Sequence, residues 1–341
     1  MNYLHNAWYV VALSSEVGSQ DLFNRQILDQ SLLVYRREDG EVVTLLNRCP
    51  HRFVPLHFGR RVGDDIVCKY HGLRFDCSGK CVENPHGDGN IPKTAAVLSF
   101  PTSERHGFIW VWMGNSELAD VKKIPKYTLL DEGNPNSKAY SYMKVDAHYE
   151  IIVDNIMDFN HVDHLHCPLV NSTGKLSLNI PKVIEDGNDV SVSWDWHQDP
   201  PLEVFSAFLP NPGRDAAHHF SVVWTAPSSI FLTVSANQGH ADDKDALISW
   251  NHHLMTPETE TSTHYFYATR RNWLVEDALL NKTKLNGAID AFNKEDRPFI
   301  EAMQLEMGTA DLNSLKTVLL SRDAAPIRAR RKLQMLIVQE R

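Results

Sequence analysis

Cys49-Pro50-His51 and Cys68-Lys69-Tyr70-His71 set two short Cys/His pairs on either side of residues 52–67. Each pair can act as a pincer at the tip of a small β-structure. Tetrahedral zinc accepts the same donors, so a zinc site of two Cys and two His is one reading. Two features favour iron–sulfur. Each pair mixes one Cys with one His, as a two-iron cluster needs when histidines serve one iron and cysteines the other. The spacings Cys-x-His and Cys-x-x-His also depart from finger and knuckle patterns, in which each pair is alike. Cys77, Cys81 and Cys167 fall outside the pattern and read as packing thiols, and neither His57 nor His86 stands at a ligand spacing.

Around the pincers, residues 30–114 read as a β-rich block. Leu32–Tyr35, Glu38-Asp39-Gly40 and Val42–Leu46 form a hairpin signal, and Phe108–Trp112 is a compact apolar strand. Pro, Gly, Asn and charge concentrate in 125–138, which places a boundary between a domain at 1–125 and a second at 126–341. In the second, 147–165 and 275–307 have helical spacing, as does the tail from Ala324. Between them, β-type runs fall at 190–196, 220–225, 230–234, 247–255 and 264–269. The expectation is an α+β chain in which an antiparallel sheet grips long helices.

The 341 residues carry 34 Lys+Arg against 43 Asp+Glu, a net charge of −9. That balance argues against a nucleic-acid partner. The one basic run, Arg328, Arg330, Arg331 and Lys332, reads as a solvated helix face. No leader and no apolar run of about 18 residues is seen, and five cysteines argue against a disulfide framework. A cytoplasmic protein without a membrane partner is expected.

Residues 154–166 place Asp at 154, 158 and 163 and His at 161, 164 and 166. A structural helix gains nothing from so many polar groups of poor helix propensity, whereas a metal site explains them. Non-haem Fe(II) oxygenases use two His and one carboxylate, leaving positions for dioxygen and substrate. By helical spacing, His161 and His164 share a face with Asp154 and Asp158. His161 and His166 stand about 140° apart on an ideal helix and converge only if it is bulged or ending.

These segments resemble the Rieske non-haem iron oxygenases. Cys49-Pro50-His51-Arg52 and Cys68-Lys69-Tyr70-His71-Gly72-Leu73 are similar to that family's cluster loops, and the likeness runs from Asn6-Ala7-Trp8-Tyr9-Val10 through Phe75-Asp76 to Gly107-Phe108-Ile109-Trp110. The resemblance implies an N-terminal Rieske β-domain holding a [2Fe-2S] cluster on Cys49, His51, Cys68 and His71, followed by a helix-grip catalytic domain. Asp158-Phe159-Asn160-His161 and His166 match the family's Asp-x-x-His-x-x-x-x-His pattern. This implies His161 and His166 as mononuclear iron ligands, with Cys167-Pro168 as a helix end. Asn293-Lys294-Glu295-Asp296-Arg297 resembles the distant carboxylate segment and implies Asp296 as third ligand, with Glu295 competing. Asp158 and Asn155 are read as the catalytic residues beside the iron. In the family the residue matching Asp158 links a cluster histidine of one subunit to an iron-binding histidine of its neighbour, here His71 and His161. That implies a homotrimer.

Along almost the whole chain the likeness is to the subgroup of vanillate O-demethylase and dicamba monooxygenase, with His253-Leu254-Met255-Thr256-Pro257-Glu258-Thr259-Glu260 and Arg270-Arg271-Asn272 prominent. His253 corresponds to a substrate-contacting histidine. Gly287 and Leu232 stand where a member of the subgroup has a packing tryptophan and a pocket asparagine, so no substrate is transferred. The chain has no Gly-x-Gly-x-x-Gly after a strand. NAD(P)H therefore enters indirectly, through a separate reductase or ferredoxin. The expected reaction is O2-dependent oxidation of a small aromatic, first choice O-demethylation of an aromatic acid. Methyl or ring hydroxylation of an aromatic carboxylate or sulfonate, or N-demethylation, is the alternative. An electron carrier with a binding domain, or a zinc-stabilised module, would be the reading outside this class.

Overall fold

The computed structural model describes residues 3–166, 170, 172–239 and 245–340, apart from the side chains of 198 and 199. The chain divides into two compact units, with the division between Lys126 and Tyr127.

The N-terminal unit is built from three small antiparallel sheets. Trp8–Leu13 and Phe108–Trp112, both wholly buried, pair with each other, and Thr102–Arg105 closes that sheet. Phe23–Ile27, Gln30–Arg36, Val42–Leu46 and Ser99–Phe100 form the second. Its expected hairpin turns at Arg37–Gly40, where Gly40 N–H donates to the Arg37 carbonyl at 3.0 Å and Gly40 takes φ +90°. That left-handed conformation is open to glycine at little steric cost. The third sheet runs Arg60–Val62, Asp65–Val67, Arg74–Phe75, Cys81–Glu83. The apolar core of this unit includes Leu33, Tyr35, Leu45, Leu56, Ile66 and Phe75, and Cys49 and Cys68 are part of it.

The second unit is a seven-stranded antiparallel sheet, ordered Lys138–Val145, Ser262–Arg271, Leu247–Thr259, Ser229–Asn237, Ala216–Thr225, Asp189–Asp199, Lys182–Asp186. The strand Ala216–Thr225 alternates buried and half-buried residues without a break, the mark of a sheet with one covered face. Lys138–Val145 adds a strand beyond the β-type runs expected in this unit. It pairs in register with Ser262–Arg271, from Lys138 opposite Arg270 to Val145 opposite Thr263. The buried Arg271 ties the end of the sheet to the Ala278–Ala291 helix, donating to Asn281 Oδ1 at 2.8 Å and to the Asp277 carbonyl at 2.6 Å.

Two helical expectations are refined. The 147–165 segment is not one helix: Tyr149–Met157 ends at Asp158, and a 3-10 turn, Phe159–His161, leads into Val162–Leu165. Asp158 adopts extended angles (φ −114°, ψ 94°) and caps the new turn, its Oδ1 accepting from Asn160 N–H at 2.8 Å. Aspartate is a strong N-cap residue, so it stops one helix and starts the next. The 275–307 segment is likewise interrupted: Ala278–Ala291 passes through a π-helical turn, Phe292–Asp296, into Arg297–Met307. Pro298 has no N–H for the carbonyl four residues earlier, and Arg297 N–H donates five residues back, to Phe292.

The basic run of Ala324–Gln339 is not simply a solvated face. Arg330 is largely buried and holds two carboxylates of the Tyr149–Met157 helix, Glu150 at 3.0 Å and Asp154 at 2.7 Å. Lys332 reaches the Gly187 carbonyl and Glu185. Charge there serves internal pairing because the helix packs against acidic neighbours. Among the described residues no helix is long and apolar enough to cross a membrane.

Candidate metal centres

The two Cys/His loops are built alike. Cys49 N–H donates to the Val54 carbonyl and Phe53 N–H to the Cys49 carbonyl, each at 2.9 Å; Cys68 with Leu73, and Gly72 with Cys68, repeat the pattern at the same distances. The fourth residue after each cysteine is left-handed, Phe53 at φ +60° and Gly72 at +74°. Glycine takes that conformation freely; phenylalanine does so at some strain. The paired loops present the His51 and His71 rings with centroids 4.4 Å apart, while Cys49 and Cys68 stay buried as free thiols. Burial first, and then the neighbouring Cys68, push the Cys49 thiol up to about 11. Two thiols lie together on the apolar core and two imidazoles together toward the surface. This donor set suits a two-iron, two-sulfide cluster bound by thiolates on one iron and imidazoles on the other.

His57 and His86, the two other histidines near these loops in sequence, have other partners. His57 N–H donates to Asn47 Oδ1 at 2.9 Å, and its Nδ1 lies 2.7 Å from Asn47 Nδ2. His86 Nε2 donates to the His71 carbonyl at 2.6 Å. Cys81 is buried and Cys77 half-buried, as packing thiols would be, and Cys167 and Pro168 lie outside the described residues.

In the second unit, His161, His166 and Asp296 each offer an atom within 4.8 Å of the others. Asp296 Oδ1 lies 3.4 Å from His161 Nε2 and 3.3 Å from His166 Nε2. The break at Asp158 makes this convergence. His161 closes the 3-10 turn and His166 caps the following helix at φ −101°, ψ 23°, which removes the angular mismatch of five helical positions. His161 Nδ1–H is held by the main-chain carbonyl of Asp158, and His166 Nδ1 lies 2.5 Å from Glu295 Oε2. Both rings thus turn Nε2 toward Asp296. Asn155 Nδ2 donates to the same Asp296 oxygen at 3.1 Å. Asp296 is buried, which alone would raise its carboxyl; His161 and His166 outweigh that and hold it well below the usual carboxylate range. Two imidazole nitrogens and a carboxylate oxygen converging on one another are the donor set that suits a non-haem Fe(II) with positions left open.

The other polar residues of 154–166 have separate tasks. Asp154 pairs with Arg330, and His164 is exposed. Asp163 anchors the following segment, accepting from Ser172 N–H and Ser177 N–H at 2.9 Å each. One expectation changes: within the chain, it is the carbonyl of Asp158 that meets His161, whereas its carboxylate caps the turn through Asn160.

His253 sits on Leu247–Thr259, opposite Tyr267 of the next strand. Its Nδ1 lies 2.5 Å from the Tyr265 hydroxyl, and its Nε2 is buried with no hydrogen-bond partner among the described residues. Burial pushes the imidazole down to about 3, against the opposing pull of Asp296, so the ring is neutral near pH 7. On the same face Asn251 Oδ1 accepts from Tyr267 at 2.7 Å and from Thr269 at 2.9 Å. Asn251 was not singled out by sequence; its alternation with His253 along the strand is the signal that could have found it. Gly287 lies in the Ala278–Ala291 helix with open space around its Cα, and Leu232 is buried opposite Asn251.

A small β-unit with paired Cys/His loops, joined to a helix-grip unit with a two-histidine, one-carboxylate constellation, defines an iron oxygenase of the two-centre class. Residues 7–101 match the Rieske [2Fe-2S] domain, and residues 145–339 the vanillate O-demethylase oxygenase C-terminal domain. The chain is 36% identical over 340 residues to the oxygenase component of chloroacetanilide N-alkylformylase from Rhizorhabdus wittichii, covering 99% of this chain and 97% of that one. It is 33% identical to the oxygenase component of dicamba O-demethylase from Stenotrophomonas maltophilia, covering 98% of each. The crystal structure of dicamba monooxygenase bound to 3,6-dichlorosalicylic acid superposes with a TM-score of 0.92 at 32% identity, covering 100% of this chain and 99% of that one. The chain belongs to the Rieske oxygenases of the vanillate O-demethylase type.

Proposed function

We propose that this protein is the terminal oxygenase of a multicomponent monooxygenase that oxidises a small aromatic, with oxidative O-demethylation of an aromatic acid as the first choice of reaction. The observation that carries the reading is the presence in one chain of two unlike donor sets, Cys49/His51/Cys68/His71 and His161/His166/Asp296. When loaded, the first centre supplies single electrons and the second, a mononuclear iron, activates dioxygen. Electrons originate from NAD(P)H through a separate reductase or ferredoxin, a role the word "component" in the relatives' names supports. In balance, the aryl methyl ether, O2, two electrons and two protons yield a phenol, formaldehyde and water.

The chain's own residues orient these parts. Asp158 and Glu295 hold the distal nitrogens of His161 and His166, and Asn155 donates to the Asp296 carboxylate. The neutral His253, fixed by Tyr265, provides a substrate contact. In a homotrimer, the Asp158 carboxylate would bridge His71 of one subunit to the iron site of the next, and this assembly belongs to the proposal. So does a cytoplasmic role in the catabolism of aromatic compounds.

N-demethylation is the second reading, supported by the likeness to the chloroacetanilide N-alkylformylase oxygenase component. Methyl or ring hydroxylation of an aromatic sulfonate is supported by the 33% identity to the toluene-4-sulfonate monooxygenase iron-sulfur subunit of Comamonas testosteroni over 88% of each chain.

The test begins with iron, sulfide and reduced-state EPR of the purified protein. About three irons and two sulfides per chain with a Rieske-type signal support the reading; zinc without sulfide sinks it. Formaldehyde release coupled to NADH and O2 consumption then identifies demethylation, and its absence with a hydroxylated product identifies the hydroxylase.

A further inference from the structure

His166 is gripped at both ring nitrogens by consecutive residues: Asp296 Oδ1 stands 3.3 Å from Nε2 and Glu295 Oε2 stands 2.5 Å from Nδ1. In a regular α-helix, neighbouring side chains diverge by about 100°. Here both residues close the π-helical turn Phe292–Asp296, whose wider winding brings two adjacent carboxylates to one imidazole. π-Turns inside α-helices are frequent at functional sites for this kind of reason. The second histidine is treated differently, since the group behind His161 is a neutral main-chain carbonyl.

We infer that Glu295 is a positioning residue of the mononuclear site, acting through His166 and making the two histidines unequal donors. The inference rests on the reading of His161, His166 and Asp296 as the metal ligands. A carboxylate can only accept from Nδ1–H, so it favours the tautomer whose Nε2 lone pair is left for a metal held jointly with Asp296. A charged acceptor behind an imidazole also raises the ring's basicity more than a carbonyl does. Glu295 therefore contributes orientation and donor strength without touching the metal, and its place one residue before the ligand is a consequence of the π-turn.

The test uses the full-length protein with its cluster in place, the mononuclear site stripped and then titrated with Co(II), whose visible ligand-field bands report the donors directly. Glu295→Ala should weaken Co(II) and Fe(II) binding about 10- to 100-fold. Glu295→Gln, of the same shape but uncharged, should bind better than the alanine variant while shifting the Co(II) bands from the wild-type positions. The Rieske EPR signal should stay unchanged in both. Wild-type affinity and wild-type bands in Glu295→Ala would overturn the inference. If that variant does not fold, unshifted bands and wild-type affinity in Glu295→Gln would overturn it equally. Asp296→Ala separates the two levels: unaltered metal binding there means the ligand reading itself has failed. Lost binding there with an unaffected Glu295→Ala means only the role of Glu295 has failed.

Discussion

Asn155 Nδ2 donates to Asp296 Oδ1 at 3.1 Å, joining the helix before the histidines to the distant carboxylate. The amide fixes the carboxylate's rotation, and with it which oxygen faces the His161 and His166 rings. Asn155→Ala should lower iron affinity and turnover about 10-fold or more, as the loss of an outer partner of a metal ligand commonly does. Iron content against Fe(II) concentration, with the cluster EPR as control, checks this; unchanged affinity and turnover would remove Asn155 from the site.

Asp296→Ala should abolish turnover and leave the cluster spectrum intact, because the two donor sets stand in separate units. Product formation surviving in this variant would show that the triad is wrongly assigned.

Asp158→Asn isolates charge from structure. Asparagine caps a turn as well as aspartate does, so the Asn160 and His161 hydrogen bonds should persist. Both metals should stay bound while single-turnover electron transfer slows by an order of magnitude. Wild-type single-turnover rates would refute the bridging role.

Arg330→Met should leave Glu150 and Asp154 buried opposite no cation. Breaking a buried pair by removing one partner costs about 3–5 kcal/mol, so the urea midpoint of the full-length protein should fall clearly. A midpoint within error of wild type would mean that solvent reaches these carboxylates.

His148 caps the Tyr149–Met157 helix through Nδ1, which accepts from Glu150 N–H at 3.3 Å, and burial pushes its imidazole down to about 3. The folded state therefore stays unprotonated where the unfolded chain, near 6.5, takes up a proton. Stability from this group is complete above about pH 6.5 and is lost as pH falls toward 3. Glu150, pushed up to about 7 by burial in spite of Arg330, has the opposite sign: the fold keeps its proton, and stability falls as pH rises from 4.5 to 7. His148→Asn keeps a cap acceptor and removes only the first effect. Between pH 6.5 and 5 the variant should lose about 2 kcal/mol less than wild type. Parallel stability curves would refute the assignment.

The two Cys/His pincers were legible because their chemistry is local. Each loop holds its cysteine and histidine within four residues, so spacing alone limits what they can bind. The β-type runs at 190–196, 220–225, 230–234, 247–255 and 264–269 were legible because their β-branched and aromatic content is local, and each falls within a strand of the sheet. Lys138–Val145 was harder: its residues are mostly half-buried, and its pattern lacks the apolar contrast that marks a strand.

What the linear order determined was the inventory: two donor sets, their residue types, an α+β chain and a boundary near residue 126. What only the tertiary structure decided was which donors meet. Helical spacing favoured His161 with His164, yet a cap at Asp158 breaks the helix and brings His161 to His166, leaving His164 exposed. Likewise Glu295 and Asp296 differ by one position in sequence, and the π-turn at Phe292–Asp296 sets one behind the His166 ring and the other in front of it. Contacts between residues 129 or more positions apart arise from how a cap and a widened turn aim their side chains, and no periodicity along the chain encodes that aim.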